Sequence, residues 1–477
     1  MKLYGATSRT YTKPACSLLN RFSIEALLQS SLMLSAFLFL CLFFYFALLA
    51  PRVLTSGDAA LYVQQIRDLD FTHRTVHLGY YLSGVPFIHL LPLPPDYALN
   101  LMSCFYAALS ISALFLIISF LTESRMASFA ACLILFTNPL FTSNAVFAEV
   151  YGAQLFFFLL SIVLLLYNKP AFAGISYAVS FLITPSAIFG IAMLFPFRKE
   201  RPQLTRFAIS ALIIIIAIVS AVASDYFIGG RGLLKASRAS LAISASFLKE
   251  YREFFSTMLW CVPWLIAGAI EMIRCRRYRD WGLTIFCIWL FTLIAGERFG
   301  DVPVQLPSYA LMCIMGGLGF QSVINVLHDK SRMATAAMYL FLIISVTCSV
   351  IITRNHIMHI SAQFEEYRKT VYALKHAAQP DFIAVGPWTE GILFEHYLYG
   401  ASYTGKWINT EWMAGTWGDA KRAQSREAVN RATLSGKELW LLKYDAPLFS
   451  ELQERGYRIN PFRTVFRASP SKTAAGS

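Results

Sequence analysis

Asp58 stands where the first long apolar run of the chain gives way to a polar segment, SGDAALYVQQIRDL. Ser56, Gly57 and Asp58 are typical of a helix start, where a short polar side chain caps an unpaired backbone N–H group. One interpretation is therefore that Asp58 is an N-cap. A carboxylate held at a membrane–water boundary could also accept a proton from an incoming hydroxyl group. The two roles are compatible, and Asp58 is the first candidate catalytic residue.

Glu149 is the second candidate, because it lies among apolar residues in the segment NAVFAEVYGAQLFFFLL. A carboxylate in such a position is costly, and it normally faces a partner charge or a water-filled cavity. The structural interpretation is an ion pair, for which Arg298 is the candidate partner. The functional interpretation, which we favour, places Glu149 in a site.

A further group of charged residues could meet an anion. Glu297 and Arg298 follow the apolar run WLFTLIAG, where an arginine could anchor a helix among headgroups or clamp phosphate oxygens with its paired donors. Arg231, Lys235 and Arg238 are spaced by four and three residues, so a helix would align them on one face. That face could bind lipid headgroups in general or one particular phosphate.

His73 and His77 lie one helical turn apart in HRTVH and could together hold a metal ion. No third ligand is marked beside them, so the sequence predicts no metal-binding residues. The one cofactor left as an alternative is a divalent cation. Contact with a sugar or phosphate is the alternative role for His77. Tyr80 and Tyr81 follow in HLGYYLSG. Their simplest interpretation is that of interfacial aromatics, and they are also candidates for contact with a substrate.

The composition is that of a membrane protein. Of the 477 residues, 56% are hydrophobic and 14% are charged, well below the charged share of about 25% in soluble domains. The net charge of +13 comes from basic residues in short loops between apolar runs. This pattern favours membrane orientation and contact with anionic membrane lipids over binding of nucleic acid. Nine cysteines are scattered singly and indicate neither a disulfide framework nor a zinc site.

Apolar runs long enough to cross a membrane predict an all-α polytopic protein with about eleven spans. The first run is long and lacks a small-residue cleavage site, so we expect no cleaved signal peptide. Thr184-Pro185 separates two short runs, and a single span with a re-entrant segment is the alternative there. The predicted spans are 26–50, 98–121, 127–143, 148–167, 171–184, 186–197, 207–227, 256–273, 282–296, 305–326 and 333–353.

Loop charge predicts the orientation. If residues 1–25 are cytoplasmic, nearly all of the short basic loops lie on the cytoplasmic side, as the positive-inside rule requires. The transmembrane domain, 26–353, then has its outward loops at 51–97, 228–255 and 297–304. These loops carry most of the candidate residues and could converge on one site.

Residues 354–477 change character and predict a small α/β domain outside the membrane. A polar helix over 357–378 leads into strand patterns that alternate with helical ones, in a β-α-β-α-β-α-β order with a partly parallel sheet. No glycine fingerprint or nucleophile elbow occurs, so we predict an accessory lid or docking domain. The strands are predicted at 381–388, 406–412, 437–445 and 462–468, and the helices at 389–399, 419–434 and 446–456.

Several motifs resemble those of the polytopic GT-C glycosyltransferases, over about residues 25–325. SGDAALY and HLGYYLSG are similar to the first outward loop of the bacterial protein O-mannosyltransferase-like group, without the paired Asp-Glu of true protein O-mannosyltransferases. FTSNAVFAEVYGAQLFFFLLSIVLLL resembles the A-E-V-Y stretch that opens the fourth span in one branch. GERFGDVPVQLPSYALMCIMGG resembles the E-R-Y…P-x-Y-P-A motif of relatives that modify lipid A or transfer mannose, with Phe299 in place of Tyr and Ser308-Tyr309 in the proline pattern.

The resemblance implies inverting transfer of a sugar from a polyprenyl phosphate to a glycan, lipid or protein of the envelope. The reaction would take place on the outer face of a bacterial inner membrane. Asp58 would be the base for the acceptor hydroxyl, and Glu149 would orient the acceptor or the sugar. The leaving phosphate would be received by cations, namely Arg298 and the face formed by Arg231, Lys235 and Arg238.

A transporter or flippase for an amphiphile is the alternative from another class of protein. Its intramembrane charges would line a path, and an inverted repeat with broken helices would be expected. No convincing internal repeat is visible, and the polar residues concentrate on one side. A third hypothesis is an inactive scaffold that holds an envelope complex through its C-terminal domain. The sequence does not identify the sugar, the prenol or the acceptor.

Overall fold

The computed structural model describes residues 18–70, 77–228, 259–299, 302–377, 382–400, 407–410 and 419–470. Within these ranges, the side chains of 18–29, 217–228, 293–299, 302, 329–330 and 419–422 lie outside the description.

The described part of the membrane region is helical throughout. Its α-helices are α1 (Leu18–Leu49), α2 (Gly57–Asp68), α3 (Leu78–Leu90), α4 (Pro95–Thr122), α5 (Arg125–Phe136), α6 (Pro139–Val146), α7 (Val150–Leu166), α8 (Pro170–Ile183), α9 (Arg201–Ile228), α10 (Val262–Arg274), α11 (Arg279–Phe299), α12 (Leu306–Lys330) and α13 (Arg332–Ala377). Short 3₁₀ helices cover Pro185–Phe197, Leu259–Cys261 and Val302–Gln305.

Among the described residues, four helices are long and apolar enough to cross a membrane, and a fifth span results if one bent pair is counted. The four are Ser30–Leu49, Pro95–Thr122, Pro303–His328 and Arg332–Ala377, and the shorter apolar helices are Val150–Leu166, Pro170–Ile183 and Pro185–Phe197. The break predicted at Thr184-Pro185 is present, since α8 ends there and a 3₁₀ helix begins. The count of eleven spans is not confirmed.

Helix α4 lies at the centre of the membrane region, whereas α1 and α13 lie at its periphery. The apolar window of α4 is 78% buried, and those of α1 and α13 are 17% buried. Helices α10 and α12 approach closely because Gly268 and Gly319 have no side chain. A Cβ atom at Gly268 would clash with the backbone of Met315, and one at Gly319 with the backbone of Trp264. Small residues commonly allow this kind of contact between membrane helices.

The span predicted at 127–143 is broken, because α5 and α6 are bent by 73° at the break between them. Asn138 begins the second helix, and its side-chain oxygen accepts the N–H of Phe141 at 3.0 Å. Pro139 follows at the first helical position, where its missing N–H is not needed. The bend turns α6 so that it leads to Glu149.

A single helix, α13, covers both the predicted span 333–353 and the predicted polar helix 357–378. Its 46 residues correspond to about 69 Å of length. Tyr367, near its C-terminal end, donates its hydroxyl to the carbonyl of Glu390 at 2.7 Å. The helix therefore runs from the membrane region directly into contact with the C-terminal domain.

The C-terminal domain is a five-stranded sheet with helices between its parallel strands. Its elements are β1 (Ile383–Gly386), α14 (Trp388–Tyr399), β2 (Trp407–Asn409), α15 (Asp419–Leu434), β3 (Leu439–Leu441), α16 (Ala446–Glu454), β4 (Tyr457–Phe462) and β5 (Val465–Pro470). The strand order is β2-β1-β3-β5-β4, with β1 parallel to β2 and β3, and β5 antiparallel to β3 and β4. The sheet is partly parallel, as predicted.

One predicted strand, 462–468, is wrong in its bounds. The chain turns at Arg463, whose φ of 53° is in the left-handed region, so β4 and β5 form a hairpin on either side of it. Such a two-residue turn carries no glycine here, and the sequence therefore gave no sign of it.

Helix α14 docks the C-terminal domain onto the segment around α2. Arg67 of α2 donates to the carbonyl of Gly400 at 3.1 Å. A second contact reaches the start of α4, where His396 lies 2.9 Å from a carboxylate oxygen of Asp96. A Cβ atom at Gly57 would lie 3.2 Å from Cα of Thr389, so this glycine lets the start of α14 approach α2.

Candidate active site

Asp58 and Glu149 line one cavity of about 590 Å³. They come from different parts of the chain, since Asp58 is in the first turn of α2 and Glu149 directly precedes α7. The other walls are formed by α6, by the segment before α12 and by the middle of α13. The lining residues are Thr55, Ser56, Asp58, Tyr62, His77, Ser143, Asn144, Phe147, Glu149, Val150, Tyr151, Pro303, His356, Ile360 and Phe364.

The N-cap of α2 is Ser56, and the prediction that Asp58 holds this role is wrong. Ser56 has an extended backbone, and its hydroxyl oxygen accepts the N–H of Ala59 at 3.1 Å. Asp58 is two residues further on, with a half-buried side chain that lines the cavity. A carboxylate in the first turn is stabilised by the helix dipole. The carboxylate of Asp58 is thus held beside the cavity without serving as the cap.

Glu149 occupies the N-cap position of α7, but its side chain makes no capping hydrogen bond. Its extended backbone, with φ of −134° and ψ of 150°, joins the end of α6 to the start of α7. The side chain is half-buried and lines the cavity. The fold therefore places this carboxylate on the same cavity as Asp58.

Tyr62 lies close enough to both acids to be affected by the charge of each. Burial, followed by the nearby carboxylates of Asp58 and Glu149, raises the pKa of Tyr62 well above its ordinary value of 10.0. A phenol that keeps its proton at neutral pH donates a hydrogen bond and does not act as a base. The phenol of Tyr62 is therefore protonated at neutral pH and can donate a hydrogen bond at the wall of the cavity.

Tyr80 and Tyr81 are not interfacial aromatics, as the simplest interpretation of the sequence suggested. Both are 0% exposed, and their rings lie 5.1 Å and 5.8 Å from that of Tyr62. Burial and the charge of Glu149 raise the pKa of Tyr80 well above its ordinary value. Neither residue lines the cavity, so they support Tyr62 from behind.

His77 lies on the cavity wall, as its candidacy for substrate contact requires. Its Nδ1 is 2.7 Å from the carbonyl of Ile183, and its ring packs edge-on against Tyr62 at 5.7 Å. A bond from Nδ1–H to the carbonyl makes Nε2 the acceptor nitrogen of the neutral ring. His73 is outside the described residues. No group of three or more His, Cys, Asp and Glu side chains in the described part could hold a metal ion.

Three lining residues were missed by sequence reasoning. Neither Tyr62 nor Asn144 was among the predicted site residues, and Asn144 lies just after the predicted span 127–143. His356 lies on α13, in the run TRNHIMHI that follows the last predicted span, and its position just beyond an apolar run was the available signal. Asn144 donates its Nδ2 to the carbonyl of Leu140 at 2.8 Å. Its Oδ1 is buried, and no described residue donates to it.

The structure does not describe the side chains of the residues predicted to bind phosphate. Arg231, Lys235 and Arg238 lie outside the described residues, and of Glu297 and Arg298 only the backbone is described, at the end of α11. Pro303, however, lines the cavity. Arg298 is five residues before Pro303, and five residues span at most about 18 Å, so the backbone of Arg298 lies within that distance of Pro303 on the cavity wall.

No protein-family model matches the chain, and no curated protein matches it. Solved structures do. The apo structure of ArnT from Cupriavidus metallidurans has a TM-score of 0.58 and 11% identity, and it covers 94% of this chain and 99% of its own. The structure of the same protein bound to undecaprenyl phosphate has a TM-score of 0.59 and 12% identity, with coverage of 93% and 99%.

An oligosaccharyltransferase from Archaeoglobus fulgidus, tethered to an acceptor peptide with the NVT sequon, is also similar. Its TM-score is 0.51 at 12% identity, and the match covers 94% of this chain and 74% of that chain. Identities this low establish a likeness of fold. The chain thus shares the fold of these structures, which are GT-C glycosyltransferases, and it is a multi-pass membrane protein.

Proposed function

We propose that this protein is a membrane glycosyltransferase that transfers a sugar from a polyprenyl-phosphate donor to an envelope acceptor. The acceptor is a glycan, a lipid or a protein. The observation that carries the proposal is that Asp58 and Glu149 line a single cavity. The GT-C fold supports it, and so does the structural neighbour bound to undecaprenyl phosphate.

In the proposed reaction, the oxygen of the acceptor hydroxyl attacks the anomeric carbon of the donor. The bond from that carbon to the phosphate oxygen breaks, and its electron pair leaves with the lipid phosphate. The hydroxyl proton passes to the carboxylate of Asp58. Attack opposite to the leaving group inverts the anomeric centre, as in inverting glycosidases with a sugar hydroxyl in place of water. The leaving group is an ionised phosphate, so no general acid is required.

Glu149 and its neighbours are assigned to orientation. Glu149 accepts hydrogen bonds from hydroxyls of the sugar or the acceptor, and Tyr62, whose phenol is protonated at neutral pH, donates one. Held hydroxyls of this kind lower the barrier by fixing the angle of attack.

Cations stabilise the charge that grows on the leaving phosphate. We assign this role to Arg298, which is five residues before Pro303 on the cavity wall. Arg231, Lys235 and Arg238 of the outward loop 228–255 share this role. Arginine suits this position because its guanidinium offers paired donors to phosphate oxygens.

The orientation is part of the proposal. A cytoplasmic N-terminus places the basic loops inside, and places the cavity and the C-terminal domain on the outer face of a bacterial inner membrane. A lipid-linked donor suits a site at this depth, because its tail stays in the bilayer. Residues 354–477 then form an accessory domain outside the membrane.

The experiment is a transfer assay with the full chain in liposomes, with radiolabelled polyprenyl-phosphate sugars and envelope extract as acceptor. We expect one donor to lose its label to the acceptor fraction, and Asp58→Asn to abolish this movement. If instead the labelled lipid crosses the bilayer without transfer, and Asp58→Asn leaves that unchanged, the flippase hypothesis replaces this one.

A further inference from the structure

A second cavity, of about 190 Å³, lies in the C-terminal domain at the carboxyl ends of its parallel strands. It shares no lining residue with the cavity of Asp58. The walls are the segments that follow β1, β2 and β3, formed by Val385, Gly386, Pro387, Thr410, Lys443, Tyr444, Asp445 and Leu448.

The strand order places this cavity at a switch point of the sheet. Strand β1 pairs with β2 on one side and with β3 on the other, so the connections after β1 and β2 depart in opposite directions. In open α/β sheets, ligands bind in the crevice that this divergence leaves beyond the carboxyl ends of the strands. The cavity has that position.

An exposed aromatic ring stands at the cavity. Tyr444 is 64% exposed, which is high for a tyrosine, although its ring is supported by contact with Phe449 at 4.8 Å and Phe466 at 6.1 Å between centroids. A rigid, exposed ring of this kind offers a large apolar face together with a polar hydroxyl. It suits a ligand that is itself apolar on one face and polar at its rim.

The charges at the cavity favour a neutral ligand with hydroxyl groups over an anion. Lys443 is paired with Glu390 at 3.1 Å, and Asp445 caps α16 by accepting the N–H of Leu448 at 3.1 Å. These two carboxylates offset the positive charge of Lys443 and of the helix starts nearby. Donors and acceptors therefore stand side by side, as a ligand with hydroxyl groups requires.

The cavity adjoins the contact between the C-terminal domain and α2. Pro387 lines it, and the next two residues, Trp388 and Thr389, pack against Gly57, the neighbour of Asp58. The path from Pro387 to Asp58 thus has two steps along the backbone and one across a packing contact, which together amount to roughly 10–15 Å. A chain of a few sugar units bound here could therefore reach the cavity of Asp58.

We propose that this cavity binds one sugar unit of an acceptor glycan, with Tyr444 as the stacking surface and Lys443, Asp445 and Thr410 as its hydrogen-bonding partners. The binding site rests on the geometry of the C-terminal domain, and the identity of the ligand as the acceptor rests on the proposed function. The small volume fits a single sugar ring and excludes a nucleotide.

The test uses the full chain in lipid nanodiscs free of glycoside detergent, with saturation-transfer NMR. The probes are the methyl glycosides of glucose, galactose, mannose, N-acetylglucosamine and arabinose, and separately inorganic phosphate. We expect a signal from at least one glycoside. Tyr444→Ala should weaken its binding roughly ten-fold, while Leu434→Ala, at an exposed site of the same domain, should leave it unchanged.

The failure of this proposal is distinguishable from failure of the proposed function. Asp58→Asn abolishes transfer under the proposed function but should leave glycoside binding intact. The proposal is overturned if no glycoside binds the wild type, if Tyr444→Ala binds as well as the wild type, or if phosphate alone binds and Lys443→Ala removes it.

Discussion

The phenol of Tyr397 joins the C-terminal domain to the backbone of Leu54. Its oxygen accepts the N–H of Leu54 at 3.0 Å and lies 3.3 Å from the carbonyl of the same residue, to which it donates. Asn100, on α4, holds the adjoining backbone through its Nδ2, which donates to the carbonyls of Pro51 at 2.8 Å and Val53 at 3.0 Å. The segment that leads to Asp58 is therefore fixed from both sides.

Replacement of Tyr397 tests whether the C-terminal domain positions Asp58. Tyr397→Phe leaves the buried N–H of Leu54 without its partner, which costs about 1–3 kcal/mol. We expect kcat for transfer to fall and the KM for the donor to stay nearly unchanged, because only the placement of the base is altered. Tyr372→Phe, at a half-exposed site on α13, is the matched control. A kcat equal to that of the wild type would limit the domain to a structural role.

Topology is tested by reporter fusions. A reporter that is active only in the cytoplasm should work when fused after Arg277, which lies between α10 and α11, and should be silent after Lys369, near the end of α13. The expectation follows from the basic loop RCRRYRD and the positive-inside rule. The reverse pattern would discard both the orientation and the placement of the site on the outer face.

The sequence predicted the parts of this molecule that local pattern determines. Asp58 was selected from its place at a helix start beside an apolar run, and Glu149 because a carboxylate among apolar residues is costly. The structure places both on one cavity. The bend at Asn138 was missed, because Asn138-Pro139 can begin a helix without showing the angle that this helix makes with the preceding one. Tyr62, Asn144 and His356 were missed because only the tertiary fold brings α2, α6 and α13 to the same cavity. Residue spacing along the chain carries no information on such contacts.

The pH dependence of stability tests the environment of Tyr62. Burial and the carboxylates of Asp58 and Glu149 raise its pKa in the folded state well above 10.0, so as pH rises above 10 the unfolded chain releases this proton while the folded chain keeps it. The stability is therefore complete below pH 10 and falls above it, by up to about 1.4 kcal/mol per pH unit. In nanodiscs between pH 8 and 11, the melting temperature of Tyr62→Phe should fall less steeply than that of the wild type. Equal slopes would contradict the assignment.

Arg298 is tested by a change that keeps its charge. Arg298→Lys loses the paired donors of the guanidinium, so the use of the polyprenyl-phosphate donor should weaken sharply while the amount of protein in the membrane stays unchanged. The matched control is Arg276→Lys, an exposed arginine in the loop that precedes α11. Full activity in Arg298→Lys would assign this arginine to anchoring of α11 among the headgroups.

The decisive substitution separates the proton acceptor from the helix cap. Because Ser56 caps α2, Asp58→Asn should fold with normal thermal stability and still bind the donor, yet lose on the order of 10²–10⁴ in turnover. Ser56→Ala should do the opposite, with a loss of about 0.5–2 kcal/mol of stability and a loss of turnover much smaller than that of Asp58→Asn. Glu149→Gln should lose less turnover than Asp58→Asn, because Glu149 is assigned to orientation and transfers no proton. All three variants are measured with saturating donor after their melting temperatures are compared. An Asp58→Asn protein that works within a few-fold of the wild type would remove the base from this site, and would leave Asp58 as a first-turn carboxylate that only stabilises α2.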